Sequence, residues 1–500
     1  MKEIIRGLTL FLLWAACVTG GTTQPVTRAQ PNVLFIALDD LNDWVGPLGG
    51  HPQVKTPHLD RLARRGTTFL NAHCQAPLCN PSRTSLLTGL RPTTTGVYAL
   101  EPWFRESPKH KTHVTLPQHF MQNGYRVLAT GKIFHDAYPP ANERKDGSEV
   151  TTWGVRGGFT PRPAKKFVTT PDDIALMDWG AFPARDEDCY DADLADWAVA
   201  QLKDMPRGNA QPTFLAVGLR HPHVPLYAPR KWFDLYPEDK LIMPPIKEND
   251  RADIPPFAWY LHWRLPEPRW KWTREAGQDR NIVRAYLASV SYADYQVGRI
   301  LDALEASGQS ENTIVVLWGD HGWHLGEKGI TGKNTLWERS TRVPLIFAGP
   351  GVAKNARTNQ PAELLDLYPT LAALCGLPAR PGLDGHSLAP QLKNAAATRA
   401  WPAITSQGPG NHTVRTDKWR YIRYADDSEE LYDMRRDPNE WTNLASGKQY
   451  AAIKRELAKW MPAASATPMP GSKSRLIELR DGKVYWETKP VDAPGNEESK

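Results

Sequence analysis

Four apolar segments, each followed at once by charged or polar residues, constrain the fold of this chain most strongly. They lie at residues 32–38, 125–130, 213–219 and 313–318. Each is nearly continuous in Val, Ile, Leu, Phe and Ala, which is typical of strands buried on both faces of a parallel sheet. Helical patterns lie between them, for example at 191–203 and 280–306. We therefore predict an α/β fold, an α/β/α sandwich built on a large, mostly parallel sheet.

The pattern changes from about Pro402. Short segments at 412–415, 419–424 and 430–434 are separated by turns and followed by a helical stretch at 449–460. Such spacing is typical of a small antiparallel sheet with a helix packed on it. We predict a large domain at residues 30–395 and a smaller C-terminal α+β domain, built on an antiparallel sheet, at residues 400–490.

The first residues have the pattern of a secretory signal peptide. Lys2 and Arg6 precede an apolar run at 8–18, which is too short to cross a bilayer, and small and polar residues follow it. We predict a signal peptide at residues 1–23 and a secreted or periplasmic protein, with lipid anchoring at Cys17 as the less favoured alternative. No later segment is long and apolar enough to span a membrane.

Charge and cysteine content narrow the classes of partner and fold. A net charge of +6 without dense Lys/Arg runs argues against nucleic acid and suits a polyanionic substrate. The cysteines beyond the predicted signal peptide are Cys74, Cys79, Cys189 and Cys375, too few for a fold held together by disulfides. Cys74 could pair with Cys189 or with Cys375, and the sequence does not distinguish these pairings.

Ionisable side chains follow each of the four predicted strands. They are Asp39 and Asp40 after the first, Lys132 and His135 after the second, His221 and His223 after the third, and Asp320 and His321 after the fourth. In open α/β sheets, ligands bind beyond the carboxyl ends of the strands. Any one of these endings alone is better explained as a turn, a helix cap or a solvated loop. Together, the four endings predict a shared site.

The segment 71–92 carries a cysteine at the start of a predicted short helix. Asn80 is expected to cap this helix, Pro81 suits its first turn, and Gly89 suits the left-handed residue that ends it. Cys79 would then lie at the positive end of a helix, beside Arg83, where anions bind and a thiol loses its proton more easily. For an isolated cysteine, a buried and inert thiol is the usual alternative.

Hard oxygen ligands at two strand ends predict a metal site. Asp39, Asp40 and Asp320 offer carboxylate oxygens, which favour Ca²⁺ or Mg²⁺ over softer metals. The neighbouring His321 is a less usual ligand for such an ion and leaves the identity of the metal open.

Positive charge and histidines complete the predicted chemistry. Arg83, Lys132 and Lys333 supply fixed positive charge for an anionic substrate. Proton transfer near neutral pH is assigned to His135 and His223.

Cys79-Asn80-Pro81-Ser82-Arg83, with Leu87-Thr88-Gly89 after it, resembles the signature of the sulfatase family, within the alkaline-phosphatase superfamily. Other features of that family follow in order, at Asp39-Asp40, Gly131-Lys132 with His135, His223, Asp320-His321 and Lys333. The segments 220–225 and 320–327, and the two residues between Lys132 and His135, look most like the iduronate-2-sulfatase branch. The likeness spans residues 32–350, with shorter stretches at 383–388, 430–433 and 437–444.

The resemblance implies a specific set of site residues. A formylglycine-generating or sulfatase-maturating enzyme would oxidise Cys79 to formylglycine, which attacks the sulfur of the substrate. The metal, Ca²⁺ with Mg²⁺ as the alternative, would be held by Asp39, Asp40, Cys79, Asp320 and His321. The catalytic set would be Cys79, Arg83, Lys132, His135, His223 and Lys333, with His223 as the acid and His135 as the base.

The implied function is a secreted sulfuric-ester hydrolase that removes sulfate from a carbohydrate, either a glycosaminoglycan or an algal polysaccharide. Residues that would choose the sugar are Trp103, Arg105, Trp323 and His324, together with the segment 227–272. Two alternatives remain open. One is a phosphate or phosphonate ester hydrolase of the same superfamily, because a metal and this nucleophile also suit phosphoryl transfer. The other is an inactive relative that only binds polysaccharide.

Overall fold

The computed structural model describes residues 30–156, 161–206, 210–262 and 265–491. The predicted signal peptide and Cys17 lie outside the described residues. Within the described ranges, no helix combines the length and the apolar composition needed to cross a bilayer.

Strands and helices alternate through most of the chain. The strands are β1 (Asn32–Leu38), β2 (Gly66–Phe69), β3 (Ala72–His73), β4 (Arg126–Gly131), β5 (Thr152–Trp153), β6 (Trp179–Ala181), β7 (Thr213–Leu219), β8 (Leu226–Ala228), β9 (Thr313–Gly319), β10 (His324–Leu325), β11 (Thr331–Gly332), β12 (Leu345–Ala348), β13 (Ala356–Thr358), β14 (Ala362–Glu363), β15 (Ala403–Ser406), β16 (His412–Arg415), β17 (Trp419–Arg423), β18 (Glu429–Asp433), β19 (Ile477–Arg480), β20 (Lys483–Trp486) and β21 (Lys489–Pro490). The α-helices are α1 (Pro57–Arg65), α2 (Cys79–Thr88), α3 (Pro92–Thr95), α4 (Leu116–Gln122), α5 (Tyr190–Lys203), α6 (Arg230–Phe233), α7 (Pro256–Tyr260), α8 (Trp270–Glu275), α9 (Asp279–Ala306), α10 (Glu338–Thr341), α11 (Leu367–Leu374), α12 (Ala389–Lys393) and α13 (Ala451–Ala458).

An eight-stranded sheet forms the centre of the protein, in the order β13-β2-β12-β9-β1-β7-β4-β5. Its middle strands β9, β1, β7 and β4 run parallel. Strand β1 is buried throughout, and its side chains alternate between two hydrophobic clusters, with Leu34 and Ile36 on one face and Val33 and Phe35 on the other. Helices α5 and α9 pack on the first face, and α2, α4 and α11 pack on the second. The predicted α/β/α sandwich is therefore confirmed.

One part of the large sheet is antiparallel. Strand β12 runs antiparallel to both of its neighbours, β9 and β2. The apolar residues of β12 carry no information about its direction, because a buried strand has the same composition in either orientation.

The carboxyl ends of the four central parallel strands lie side by side. Leu38 at the end of β1 is in register with Leu219 of β7 and with Gly319 of β9. Gly131 at the end of β4 is in register with Gly218 of β7. Neighbouring strands are about 4.8 Å apart, so these four ends span roughly 15 Å. The residues that follow them can therefore reach one site.

A second, antiparallel sheet of four strands, β15-β16-β17-β18, carries helix α13 on one face. It confirms the smaller sheet and helix that the sequence predicts, and it adds β15. The segment between α6 and α9 packs between this sheet and the large domain. There Phe257 of α7 stacks on Tyr424, with ring centroids 5.6 Å apart.

The four described cysteines are all buried and free. Neither pairing considered for Cys74, with Cys189 or with Cys375, is formed in the structure.

Candidate active site

Cys79 is the first residue of α2 and is 2% exposed. Its Sγ lies 3.1 Å from Nζ of Lys333, 3.2 Å from Nε2 of His321 and 3.9 Å from Oδ1 of Asp40. Helix α2 ends at Gly89, whose φ of +70° is the left-handed value that glycine adopts without strain. The predicted position of Cys79, at a helix start and next to positive charge, is confirmed.

The predicted role of Asn80 as a helix cap is wrong. The residue that precedes the helix is Leu78, and it makes no side-chain capping bond. Asn80 lies inside the first turn, where Nδ2 donates to the carbonyl oxygens of Ala99 (3.1 Å) and Pro102 (3.2 Å). Its amide therefore ties a distant loop to the helix start, which a local capping rule cannot anticipate.

Two carboxylates follow β1 directly. Asp39 and Asp40 are both fully buried. Asp40 has a φ of +58°, which is uncommon for a residue other than glycine and turns the chain just after the strand. Its backbone N–H donates to Oδ1 of Asp320 over 3.0 Å. The loops after β1 and β9 are thereby joined.

Arg83, on α2, links three of the strand ends. Its Nε donates to Oδ2 of Asp320 (2.9 Å), and its Nη2 donates to Oδ1 of Asp39 (3.2 Å). Its Nη1 donates to the carbonyl oxygen of Lys132. All of these side chains are buried, and an unpaired carboxylate would be strongly unfavourable there. Arg83 is therefore the counter-charge that keeps both aspartates in place.

Lys132 reaches the site through a tight turn at Gly131. Gly131 has a φ of +68°, and a Cβ at this position would lie 2.1 Å from the carbonyl oxygen of Gly218. Only glycine fits, which accounts for the Gly-Lys pair in the sequence. Lys132 Nζ donates to Oδ2 of Asp39 over 2.5 Å.

Lys333 follows the hairpin formed by β10 and β11. Its Nζ lies 2.6 Å from Oδ1 of Asp40, in addition to its contact with the sulfur of Cys79. It is also 3.4 Å from Nε2 of His321. The ammonium thus lies between the sulfur and the carboxylate.

The electric field at Cys79 favours an anion. Burial alone would raise the pKa of the Cys79 thiol, but Lys132, Lys333 and His321 outweigh burial and hold that pKa well below its ordinary value. The same charges would stabilise negative charge on any group that occupied the position of the sulfur.

The two aspartates that contact Arg83 respond differently to burial. Burial would raise the pKa of Asp39, but the Lys132 ammonium overcomes that effect and holds the pKa far below its usual range. Burial raises the pKa of Asp320 to about 6 despite its contact with Arg83. The Lys132 ammonium therefore favours the charged form of Asp39.

Asp39, Asp40, Cys79 and His321 could together hold a cation. Each offers one ligand atom, and these atoms all lie within 4.8 Å of one another. Oδ2 of Asp40 is buried and has no hydrogen-bond partner in the described part of the chain, so a lone pair is available there. Two carboxylates and one imidazole suit a hard or borderline divalent ion.

Asp320 stands apart from this group of ligand atoms. Its Oδ1 accepts the backbone N–H groups of Asp40 and His321, each over 3.0 Å, and its Oδ2 accepts from Arg83. Oδ1 thus uses both of its lone pairs, and Oδ2 keeps one. Asp320 therefore adjoins the cluster, with fewer free lone pairs than Asp40.

The two predicted proton-transfer histidines interact with different members of the cluster, His223 with Asp40 and His135 with Cys79. His223 Nε2 is 3.9 Å from Oδ2 of Asp40, and its Nδ1 lies 2.6 Å from the carbonyl oxygen of Val224. Nδ1 of His135 is buried and has no hydrogen-bond partner among the described residues. Burial lowers the pKa of His135, while an interaction with the Cys79 sulfur raises it by a smaller amount.

His221 follows the same strand as His223 but does not join the cluster. Its Nδ1 lies 2.7 Å from Oδ2 of Asp191, and its Nε2 lies 2.8 Å from the carbonyl oxygen of Tyr227. These contacts brace the loop that carries His223. The third strand ending therefore brings His223 to the cluster, as predicted, but not His221.

The structure adds polar residues near the cluster that the sequence analysis did not single out. Arg220 forms a two-point ion pair with Asp136, with distances of 2.6 and 3.0 Å, beside Lys132. Arg475 donates to Oδ1 of Asn334 (2.7 Å) and to Oε1 of Glu267 (2.9 Å). Asn334 could have been found from the sequence, because it follows Lys333 directly. No local feature of the sequence links Asn334 to Arg475.

Of the residues proposed to choose the sugar, the segment 227–272 includes many exposed positions, whereas the four residues named individually lie mostly inside the protein. Trp103, Trp323 and His324 are each at most 1% exposed. The guanidinium of Arg105 is held by Glu149, Gln118 and two backbone carbonyls. These side chains pack the walls around the site, so they have no free surface for a substrate.

The chain matches two known families. A family described as Sulfatase matches residues 31–377, and one described as N-sulphoglucosamine sulphohydrolase, C-terminal, matches residues 326–466. The chain is 40% identical to a protein named Sulfatase from Formosa agariphila, over 91% of this chain and 92% of that protein. It is 31% identical to Iduronate 2-sulfatase from Homo sapiens, over 74% of this chain and 75% of that protein.

Solved structures share the fold. BT1596, named as a 2-O GAG sulfatase, aligns with a TM-score of 0.66 and 25% identity, covering 86% of this chain and 90% of that one. The phosphonate monoester hydrolase of Agrobacterium radiobacter aligns with a TM-score of 0.71 and 22% identity, covering 93% of this chain and 100% of that one. At that identity, the second likeness concerns the fold alone.

Proposed function

This chain belongs to the sulfatase family and is a sulfuric-ester hydrolase, and on that premise we propose that it removes sulfate from a sulfated carbohydrate by means of a formylglycine made from Cys79. One observation carries the proposal. The Cys79 sulfur is buried at a helix start within 3.2 Å of both Lys333 and His321, in a cluster with Asp39 and Asp40.

The surroundings of position 79 support its role as the nucleophile. Formylglycine would supply a hydrated aldehyde that can attack sulfur. The charges that lower the pKa of the Cys79 thiol would equally favour an oxyanion at that position. A formylglycine-generating or sulfatase-maturating enzyme is then a required partner of the chain.

We assign a divalent cation to Asp39, Asp40, Asp320, His321 and the modified Cys79, with Ca²⁺ favoured and Mg²⁺ as the alternative. The orphaned Oδ2 of Asp40 and the mixed oxygen and nitrogen donor set support this assignment. The ion would offset negative charge on the nucleophile and on a sulfate oxygen. Arg83 would keep Asp39 and Asp320 oriented toward it.

Lys333 and Lys132 provide the fixed positive charge of the site. Lys333 would hold a sulfate oxygen, because its ammonium already lies against the sulfur of Cys79. Lys132 would also stabilise negative charge at position 79 while it positions Asp39. Neither ammonium needs to reorganise when the sulfuryl group's charge redistributes.

His223 and His135 divide the proton transfers. We propose that His223 gives a proton to the departing sugar oxygen, and that His135 takes the proton that allows sulfate to leave. The lowered pKa of His135, caused chiefly by burial, supports a group that is neutral and able to accept a proton.

The substrate class is proposed from the relatives and from charge. One similar structure is named a 2-O GAG sulfatase and one relative Iduronate 2-sulfatase. A net charge of +6 favours a polyanionic chain. We therefore propose a glycosaminoglycan or an algal polysaccharide as the substrate, encountered outside the cytoplasm after removal of residues 1–23. The large domain at 30–395 would carry the chemistry, with the domain at 400–490 beside it.

Phosphonate or phosphate ester hydrolysis is the second candidate. It is favoured by the fold shared with the phosphonate monoester hydrolase of Agrobacterium radiobacter. A metal and a preorganised nucleophile also suit phosphoryl transfer.

A substrate screen tests the proposal. Protein co-expressed with a maturation enzyme is incubated with defined sulfated disaccharides, an aryl sulfate, an aryl phosphate and a phenyl phosphonate. Release of sulfate from at least one disaccharide, faster than release of phosphate or phosphonate products, supports the proposal. Faster turnover of the phosphorus esters would favour the second candidate. No turnover, combined with tight binding of a disaccharide, would favour an inactive binding relative.

A further inference from the structure

A groove separate from the centre at Cys79 lies beside the tip of the hairpin that precedes Lys333. The loop 246–252, Trp259 of α7 and helix α8 form its walls, and Lys328 and Gly329 lie at the hairpin tip between them. Its volume is about 890 Å³, which falls in the range of sites that hold small organic ligands. None of the side chains in contact with Cys79 lines it.

Positive side chains outnumber negative ones in this groove. The charged residues that line it are Lys247, Arg251, Lys271, Arg274 and Lys328, with Glu248, Asp250 and Glu275. The buried pair Lys328 and Asp250, 3.1 Å apart, neutralise each other. What remains toward solvent is an excess of positive charge, so the groove suits an anionic ligand.

Two of these cations are placed to act together. Lys271 and Arg274 are three residues apart on helix α8, so they share a face of the helix, and both are exposed. Neither side chain has an ion-pair partner within the described ranges of the chain. A sulfate or carboxylate group could accept charge-assisted hydrogen bonds from both.

The walls also carry aromatic surface. The guanidinium of Arg251 lies 3.2 Å from the ring centroid of Trp259, which fixes the orientation of the indole. Trp270 is 4% exposed, and its indole N–H has no hydrogen-bond partner in the part of the chain that the structure describes. Trp270 therefore helps to shape the wall, and the partly exposed Trp259 is the ring that can pack on the apolar face of a sugar.

We propose that this groove binds a stretch of anionic carbohydrate chain, apart from the centre at Cys79. The proposal rests on the proposed function in one respect, because the bound stretch would belong to the same polymer that is desulfated. Gly329 and Lys333 are four residues apart, so an extended backbone separates them by at most about 14 Å. A single polysaccharide could therefore occupy the groove and the reaction centre together.

Binding without turnover tests the groove directly. All variants are made in a Cys79→Ala background, and the probes are labelled fragments of heparin, chondroitin sulfate and ι-carrageenan, each with its chemically desulfated counterpart. The double variant Lys271→Ala/Arg274→Ala should weaken binding of at least one sulfated fragment about tenfold at low salt, because two cations near a polyanion are removed. Trp259→Ala should weaken it severalfold without changing the salt dependence.

The matched control is Arg455→Ala/Lys459→Ala, which removes the same charge from two exposed positions, one on helix α13 and one directly after it. It should leave the affinity within about twofold of the parent. Equal affinity of the groove variant and this control would overturn the proposal. So would equal binding of sulfated and desulfated fragments.

Kinetics on the matured enzyme separate this proposal from the proposed function. Lys271→Ala/Arg274→Ala should raise KM for a polymer while kcat, and KM for a sulfated monosaccharide, stay unchanged. If the wild-type enzyme binds fragments through the groove but releases no sulfate, the proposed function is contradicted and the binding role of the groove is still supported. An enzyme that releases sulfate with the same polymer KM in the groove variant would contradict the groove alone.

Discussion

Arg83 Nε donates a 2.9 Å hydrogen bond to Oδ2 of Asp320, and neither side chain is exposed to solvent. The two residues are 237 positions apart in the chain. Their contact joins the start of α2 to the loop after β9, and with it the position of Cys79 to that of His321. The same guanidinium also reaches Asp39. The geometry of the cluster therefore depends on one arginine.

Replacing Arg83 should destabilise the whole protein. Arg83→Ala would leave the buried Asp320 without its arginine partner and Asp39 with Lys132 as its remaining buried partner, and breaking a buried ion pair from one side typically reduces the free energy of unfolding by about 3–5 kcal/mol. Chemical denaturation of the unmatured protein measures this loss without any contribution from activity. Arg185→Ala serves as the control, because its ion pair with Asp188 is exposed. Equal stability of the two variants would contradict the role assigned to Arg83.

Two buried lysines of one hairpin should have different roles. Lys333→Met should lower kcat by about 10²–10³-fold, because a preorganised charge next to the reacting group is lost. Lys328→Met removes the ion pair with Asp250 at the hairpin tip and should lower the melting temperature while kcat is largely retained. Steady-state kinetics and thermal melts of both variants test this contrast. Similar kcat values for the two would contradict it.

The pH profile should identify His135 as a base with a lowered pKa. Burial disfavours its charged form and lowers its pKa below the ordinary 6.5, and the Cys79 sulfur that partly opposes this shift is absent once Cys79 is converted. The base is then neutral at pH 7 and becomes protonated only at lower pH. The acidic limb of kcat/KM should therefore fall below pH 6.5. Its persistence in a His135→Ala variant would show that another group titrates.

Metal binding should be measurable as stability in the unmatured protein. After treatment with EDTA, adding Ca²⁺ or Mg²⁺ should raise the melting temperature, since an ion that binds only the folded state stabilises it. Asp40→Asn should abolish this increase, because the buried Oδ2 of Asp40 is the oxygen that lacks a partner. Asp136→Asn is the control, since Asp136 is a nearby carboxylate that pairs with Arg220 and is not among the grouped ligand atoms. An unchanged response in Asp40→Asn would contradict the metal assignment.

The parts of the fold that the sequence predicts are those with a strong local pattern. Strands β1 and β7 match the predicted segments at both ends, because a strand buried on both faces is almost entirely apolar. The short strand β15 was not predicted, since four residues after Trp401 and Pro402 give no periodicity. The direction of β12 could not be predicted either. Side chains alternate between the two faces of a strand in the same way whether its neighbours are parallel or antiparallel.

The site was predictable where the chemistry follows a strand end. Asp40 after β1 and Asp320 after β9 are joined by a 3.0 Å hydrogen bond, and Lys132 after β4 contacts Asp39, as expected for residues at the shared edge of a parallel sheet. The cap assigned to Asn80 failed because its partners, Ala99 and Pro102, are in a loop that only tertiary packing brings close. The different positions of His221 and His223 were unpredictable for the same reason, because His221 pairs with Asp191, a residue of α5 that only tertiary packing brings close.

Sulfate release should depend on Cys79 converted to formylglycine. Several preparations are co-expressed with different amounts of a maturation enzyme. For each one, mass spectrometry gives the converted fraction of Cys79, and ion chromatography gives the rate of sulfate release from one disaccharide. We expect a rate proportional to the converted fraction, with no release by Cys79→Ala. A rate independent of that fraction, or full turnover by Cys79→Ala, would show that the modified residue is not the nucleophile.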